Sequence, residues 1–251
     1  MSKSMNGKVV LVVGGAGGIG AVSARRFAEL GARVAISHRD VPEEAAAAAK
    51  VVQSLPGAGH AALAADVSRT DTLKALRAEV DRHYGRLDVL VNAAGFTKGV
   101  PHADLEALDD DLIDKMFAVN WRGQFATIRT FAPLLKASGD GLIVSISSIA
   151  GTNGIGSSIA YCAAKAGIDV MTKSLARVLA PEVRVLAVAP GVVDTNFVPG
   201  RGADFNTKTA ATTPLKRIAT PEDIASAILA CATQLGFATG TTFVVDGGRS
   251  L

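Results

Sequence analysis

Lys8-Val-Val-Leu-Val-Val13 runs without a break into Gly14-Gly-Ala-Gly-Gly-Ile-Gly20 and then into Ala21-Val-Ser-Ala-Arg-Arg-Phe-Ala-Glu-Leu30. The first segment is a short apolar run, as in a strand buried on both faces of a parallel sheet. The last has helical periodicity and stops at Gly31. A strand, a glycine turn and a helix in that order leave few folds open. The glycines permit a tight turn and let the backbone approach a pyrophosphate, which then meets the positive end of the helix. A glycine cluster is more often a plain loop; in this context it reads as a dinucleotide-binding turn.

The same rhythm continues to the C-terminus. Strands are expected at Lys8–Val13, Arg33–Ser37, His60–Ala64, Val89–Asn92, Leu142–Ile146, Val183–Ala189 and Thr242–Val245. Helices are expected near Ile19–Leu30, Glu43–Ser54, Thr70–Tyr84, Asp109–Leu135, Ser157–Ala180 and Pro221–Gln234. Alternation of this kind predicts an α/β fold, a doubly wound parallel sheet of about seven strands with helices on both faces. No linker or repeat interrupts it, so residues 1–251 read as a single domain. Apolar residues make up 49% and aromatics only 5%, which suits helices packed closely on such a sheet. One stretch breaks the rhythm. Residues 196–214 are rich in Gly, Thr, Asn and charge and follow a strand end, so a lid over a substrate is expected there.

Several function classes are excluded at this stage. The net charge of +3 comes from scattered residues, and no basic run suggests a nucleic-acid partner. Cys162 and Cys231 are too few and too far apart for a disulfide framework or a zinc site. His38, His60, His83 and His102 lack metal-ligand spacing, so no metal is expected and all four read as non-catalytic. No serine lies in a Gly-x-Ser-x-Gly elbow. The first residues carry no signal-peptide pattern and no apolar run is long enough to cross a bilayer. A soluble, cytoplasmic protein is the expectation.

Chemistry first shows at Tyr161 and Lys165, four residues apart in a helical segment and therefore on one face. A phenol is a poor acid at neutral pH, with a reference pKa near ~10. An ammonium beside it favours the phenolate and makes the tyrosine a usable proton donor and acceptor. Asn120 alone would read as a capping or kink residue. Ser145, Ser147 and Ser148 all end the fifth strand.

Together these segments resemble the short-chain dehydrogenase/reductase family over essentially the whole chain. Val13-Gly-Gly-Ala-Gly-Gly-Ile-Gly20 matches the family's Thr-Gly-x-x-x-Gly-Ile-Gly turn at every glycine. Asn92-Ala-Ala-Gly95 resembles its Asn-Asn-Ala-Gly motif, and Asn120 lies where it places a helix asparagine. Ser148 stands thirteen residues before Tyr161, the family's spacing, which selects it from the three serines. Pro190-Gly-Val-Val-Asp-Thr195 and Val245-Asp-Gly-Gly248 match late signatures. The sequence departs from the pattern at Val13, Ala93 and Leu186, none of them catalytic.

The resemblance implies a Rossmann fold and an oxidoreductase that interconverts a carbonyl and a secondary alcohol. Its catalytic residues would be Asn120, Ser148, Tyr161 and Lys165. Tyr161 would exchange a proton with the substrate oxygen, and Lys165 would lower its pKa and bind the nicotinamide ribose. Ser148 would donate a hydrogen bond to that oxygen, and Asn120 would hold a water of a proton relay. Cofactor contacts would come from Gly14, Gly18, Ile19, Gly20, His38, Arg39, Asp66 and Val67. Further along they would come from Asn92, Ala93, Gly95, Tyr161, Lys165, Pro190, Gly191, Val193 and Thr195. Phe96, Asn153, Ile155, Val192 and Phe197 would line a mostly apolar pocket for a small carbonyl or alcohol substrate, with 3-oxoacyl thioesters first. A homotetramer paired through the helices around 109–135 and 157–180 is also implied. A non-catalytic nucleotide sensor on the same fold is the alternative, and the complete catalytic set argues against it.

Cofactor choice rests on the end of the second strand. An NAD-binding chain would place a carboxylate there for the ribose hydroxyls. Here His38 and Arg39 follow Ser37 instead, and a guanidinium can bind a 2′-phosphate through paired hydrogen bonds. NADP(H) is therefore preferred, with NAD(H) possible through Asp40.

Overall fold

The computed structural model describes residues 4–199 and 204–251. Seven strands form one sheet: β1 (Val9–Val13), β2 (Arg33–His38), β3 (Ala61–Ala64), β4 (Val89–Asn92), β5 (Gly141–Ile146), β6 (Val183–Pro190) and β7 (Thr242–Val245). Their order is β3-β2-β1-β4-β5-β6-β7 and every pairing is parallel. The helices between them are α1 (Gly18–Glu29), α2 (Pro42–Ser54), α3 (Thr70–Tyr84), α4 (Asp110–Phe117) and α5 (Gly123–Ala137). After β5 come α6 (Ala150–Asn153) and α7 (Ile159–Leu179), and after β6 come α8 (Phe205–Thr212) and α9 (Pro221–Thr233).

Parallel strands bury both faces, and the alternation of side chains along them sorts the core into two layers. Val10, Val12, Val34, Ile36, Val91 and Val144 face α1, α2 and α9, where Phe27, Ala48, Ile224 and Ile228 meet them. Val9, Leu11, Leu90, Ile143 and Val185 face the other way, against Leu76 of α3, Phe131 of α5 and Ile168 of α7. The doubly wound sheet expected from the sequence is the one observed. Strand order reverses between β1 and β4, the place where open α/β sheets bind ligands beyond the strand ends.

Two expectations need correction. The helix expected over 109–135 is two helices, α4 and α5, joined by a π turn at Ala118–Arg122. The stretch 196–214 is not all loop, because it contains α8. Residues 200–203 of the expected lid lie outside the described residues.

Candidate active site

The glycine turn leaves β1 at the switch point. Gly14 has φ +81°, and a Cβ there would lie 2.6 Å from the Ala94 nitrogen, so only glycine fits. A Cβ on Gly20 would lie 2.2 Å from the Gly14 carbonyl oxygen, which holds α1 tight against the turn. Gly17, by contrast, has nothing within 4 Å of its Cβ position. It is the N-cap of α1, and no side chain caps that helix end. Open space in front of uncapped backbone N–H groups, with no acidic residue in the first turn, fits a dinucleotide pyrophosphate. A Cβ on Gly18 would lie 3.5 Å from the Thr195 methyl group, and Ile19 packs on the core behind the turn. Val13 brings no hydroxyl, but Ser37 of β2 does: its Oγ accepts from the Gly14 N–H at 3.3 Å. Sequence reasoning passed over Ser37, since only the β1–β2 register brings it to the turn.

The other positions expected to hold the cofactor gather along the same strand ends. Asp66 turns the chain after β3, its Oδ1 accepting from the Ser68 N–H at 2.8 Å and the Ser68 hydroxyl at 2.7 Å. Val67 packs beside Gly123 at the start of α5. Ala93 continues the β1 ladder, its N–H donating to Val13 at 2.9 Å, and Gly95 faces Asn120 and Phe197. Asn92 is buried with no hydrogen-bond partner for its amide group among the described residues. Beyond β6, the Pro190 carbonyl accepts from Ile149 at 3.0 Å and the Gly191 N–H donates to Val245 at 3.1 Å. Val193 bridges Ala219, and the Thr195 hydroxyl accepts from the Phe197 N–H at 3.4 Å.

Lys165 is the electrostatic centre. Only 3% of it is exposed, and its ammonium donates to the Ile146 carbonyl at 2.7 Å, at the end of β5. Burial pushes its pKa down to about 8, against a smaller upward pull from Asp169 one turn further along α7. The Asp169 carboxylate is itself held by the Thr242 hydroxyl at 2.9 Å. The Lys165 Nζ lies 5.6 Å from the centroid of the Tyr161 ring. Ser158 caps α7, its Oγ accepting from the Tyr161 N–H at 3.2 Å, which starts the helix at the residues that carry the pair.

The three serines after β5 separate cleanly. Ser145 is buried in register with Asn92, and Ser147 donates to the Lys165 carbonyl at 3.2 Å. Ser148 alone is partly exposed, its Oγ accepting from the Ala150 N–H at 3.2 Å. Asn120 is fully buried in the π turn. Its Nδ2 donates to the carbonyls of Phe96 at 2.8 Å and Met116 at 2.9 Å, and its Oδ1 accepts from the Phe96 N–H at 3.1 Å. The side chain thus ties the segment after β4 to the end of α4.

Of the residues expected around the substrate, Phe197 stacks at a tilt on Tyr161, with ring centroids 6.2 Å apart. Phe96 carries the Lys115 ammonium 4.6 Å above its ring. Asn153, the last residue of α6, and Ile155 just beyond it are both exposed, the Asn153 Oδ1 accepting from the Ile155 N–H at 2.9 Å. Val192 is partly buried and its carbonyl accepts from Ala219 at 2.9 Å.

At the end of β2, the His38 Nδ1 lies 2.7 Å from the Arg39 carbonyl. Arg39 is not a free cation. Its Nε donates to the Glu44 Oε1 at 2.8 Å, its Nη2 reaches the same oxygen, and its backbone N–H donates to the Glu44 Oε2 at 2.9 Å. Hydrogen bonding to Glu44 holds the Arg39 pKa above its usual range; burial pulls the Glu44 carboxyl up, but Arg39 outweighs it and leaves it lowered. Among the described residues, no group of His, Cys, Asp and Glu is arranged to hold a metal ion.

A family model described as "Enoyl-(Acyl carrier protein) reductase" matches residues 14–250. A cis-4-hydroxycyclohexanecarboxylate dehydrogenase of Sinomonas cyclohexanicum is 39% identical, over 99% of this chain and 98% of that protein. A 3-oxoacyl-(acyl-carrier-protein) reductase FabG of Thermotoga maritima is 34% identical, over 97% of this chain and 98% of its own length. Among solved structures, a short-chain dehydrogenase/reductase (glucose/ribitol dehydrogenase) of Brucella melitensis superposes with a TM-score of 0.88 at 29% identity, covering 99% of both chains. The chain belongs to the short-chain dehydrogenase/reductase family, oxidoreductases that use NAD(P)(H) on small-molecule substrates.

Proposed function

We propose that this protein is an NADPH-dependent reductase of ketones, with 3-oxoacyl thioesters as its first substrate class. The observation that carries the reading is Lys165: a buried ammonium, held by the Ile146 carbonyl, one helical turn from Tyr161. No structural need of the fold calls for a charge in that place, and burying one is costly. A proton-transfer site does need it. The nicotinamide cofactor, when bound, supplies the hydride. Lys165 favours the ionised form of Tyr161, so that the tyrosine gives a proton to the carbonyl oxygen as it gains negative charge. Ser148 donates a second hydrogen bond to that oxygen. Asn120 spends its side chain on Phe96 and Met116, so its part in a proton relay falls to its main chain, where the π turn interrupts the regular helical ladder.

The apolar lining from Phe96, Ile155, Val192 and Phe197 supports a substrate with an apolar body, with Asn153 as a polar contact. The 3-oxoacyl reductase named above supports the thioester class. Phe197, in the described part of the expected lid, packs against Tyr161, which supports a cover over the substrate there. The chain works as one domain and as a cytoplasmic homotetramer. Support for the assembly comes from the apolar groove lined by Phe125, Ile128, Ala132, Leu175 and Leu179 between α5 and α7, and from exposed Val170 and Val178. The preference for NADPH rests on Arg39 and on the lack of a carboxylate at His38. A panel of 3-oxoacyl thioesters, ring ketones and alcohols, run with both cofactors, tests the proposal. The expected result is fastest turnover of a 3-oxoacyl thioester with NADPH; no turnover of any acyl thioester would overturn the substrate class.

A further inference from the structure

The Arg39–Glu44 pair occupies the place where the proposed cofactor preference is decided. β2 delivers Arg39 as the first residue beyond the strand, and α2 delivers Glu44 in its first turn. The carboxylate uses both oxygens, one on the guanidinium edge and one on the Arg39 backbone N–H. Those donors, a guanidinium edge beside a backbone N–H, are what a phosphate monoester seeks. Glu44 therefore holds Arg39 as a phosphate would.

We propose that Glu44 is a specificity-determining residue, an internal anion that competes with the 2′-phosphate of NADPH for Arg39 and so narrows the margin between NADPH and NADH. The carboxylate and the phosphate cannot both sit on one guanidinium edge without bringing two like charges together. NADPH must displace Glu44, whereas NADH, which lacks the phosphate, leaves the pair closed. Displacement is feasible because the pair is not deeply enclosed: 65% of the Arg39 side chain and 31% of the Glu44 side chain are exposed. Glu44 also keeps a favourable site when released, since a first-turn carboxylate faces the positive end of α2. The inference deepens the NADPH reading and rests on its assignment of Arg39 to the 2′-phosphate.

Dissociation constants for NADPH and NADH, measured by titration calorimetry on the full chain, test it through Glu44→Gln, Arg39→Ala and the double variant. Gln keeps the size and an acceptor oxygen but not the charge. The ratio of the NADPH to the NADH constant is expected to fall roughly fivefold in Glu44→Gln, the scale of one partly exposed ion pair. In the Arg39→Ala background the same substitution is expected to change that ratio much less. An unchanged ratio in Glu44→Gln, or an equal change with and without Arg39, would overturn the competition. The wild-type ratio is a separate result: tighter NADH binding there removes the NADPH preference, yet a fall in the ratio that requires Arg39 still establishes the competition.

Discussion

At the scale of single residues, Tyr161 can lose its chemistry and keep its shape. Tyr161→Phe is predicted to fold and to bind cofactor normally while turnover falls ~10²–10⁴-fold, the usual worth of a positioned acid–base group. Steady-state kinetics beside a cofactor titration check it. Lys165 is predicted to set the alkaline limb of reduction. Its pKa lies at about 8, so raising the pH through that value removes the ammonium and raises the cost of ionising Tyr161. The kcat/KM for ketone reduction should then fall above about pH 8, and a flat profile to pH 10 would contradict the assignment. The same burial has a structural consequence. A pKa moved from 10.5 to about 8 costs on the order of 3 kcal/mol at neutral pH, offset in part by the hydrogen bond to Ile146, about 1–2 kcal/mol. Lys165→Met is therefore predicted to raise the Tm of the cofactor-free protein while removing most turnover. Because the folded pKa is the lower one, the wild type itself should gain stability as the pH rises from about 8 towards 10.5.

Among the elements, those built from local pattern were readable in the sequence and those set by distant contacts were not. β4, β7 and α3 begin and end where periodicity and turn residues put them. The π turn could not be read that way, because Met116–Arg122 looks like continuous helix. What breaks the helix is Asn120, reaching across to both backbone groups of Phe96, a contact that exists only once β4 is in place. α8 escaped for a different reason. It buries only Thr209, so it carries no apolar stripe, and its contacts are polar ones such as Arg249 to the Thr212 hydroxyl at 3.0 Å. Within the candidate site, the glycine turn and the Tyr161–Lys165 pair could be read from pattern and spacing, whereas Asn120 and Ser148 were singled out only by the resemblance. Ser37, Glu44 and Asp169 were not legible: Ser37 reaches the turn only through the β1–β2 register, while Glu44 and Asp169 are sequence neighbours of Arg39 and Lys165 whose contacts no motif marks. Asn120→Ala should cost about 1–3 kcal/mol by leaving buried carbonyls unpaired, and it should lower turnover as well. Thr220→Ala, which removes the capping box of α9, should cost a similar ~0.5–2 kcal/mol and leave turnover intact. Chemical denaturation and kinetics on the two variants separate a site element from a purely structural one.

For the molecule as a whole, the sheet is pinned at the end opposite the site. Asp88 is buried, accepting from the Val9 N–H at 2.9 Å, from Lys8 at 3.0 Å and from both Nε and Nη2 of Arg86. Burial raises its pKa, but Arg86, Val9 and Lys8 together outweigh that and leave it below the usual carboxylate value. A carboxyl lowered by folding contributes stability above its unfolded pKa, near ~3.9, and loses it as the pH falls through the folded value. Asp88→Asn is thus predicted to destabilise the protein at pH 7 and to flatten its loss of stability below about pH 4, measured by thermal melts. Assembly is the other property at this scale. Light scattering at micromolar concentration should give a tetramer, and a monomeric mass would contradict pairing through α5 and α7.

The buried Lys165 beside Tyr161 is the feature by which this chain would act as a hydride-transfer enzyme and not as a nucleotide-binding protein alone. The most direct measurement follows NADPH oxidation by purified wild-type and Tyr161→Phe protein with a 3-oxoacyl thioester and with simple ketones. Turnover by the wild type, lost in a folded and cofactor-binding Tyr161→Phe, is the predicted result. Equal turnover by both proteins, or cofactor binding with no oxidation of NADPH by any carbonyl, would contradict it.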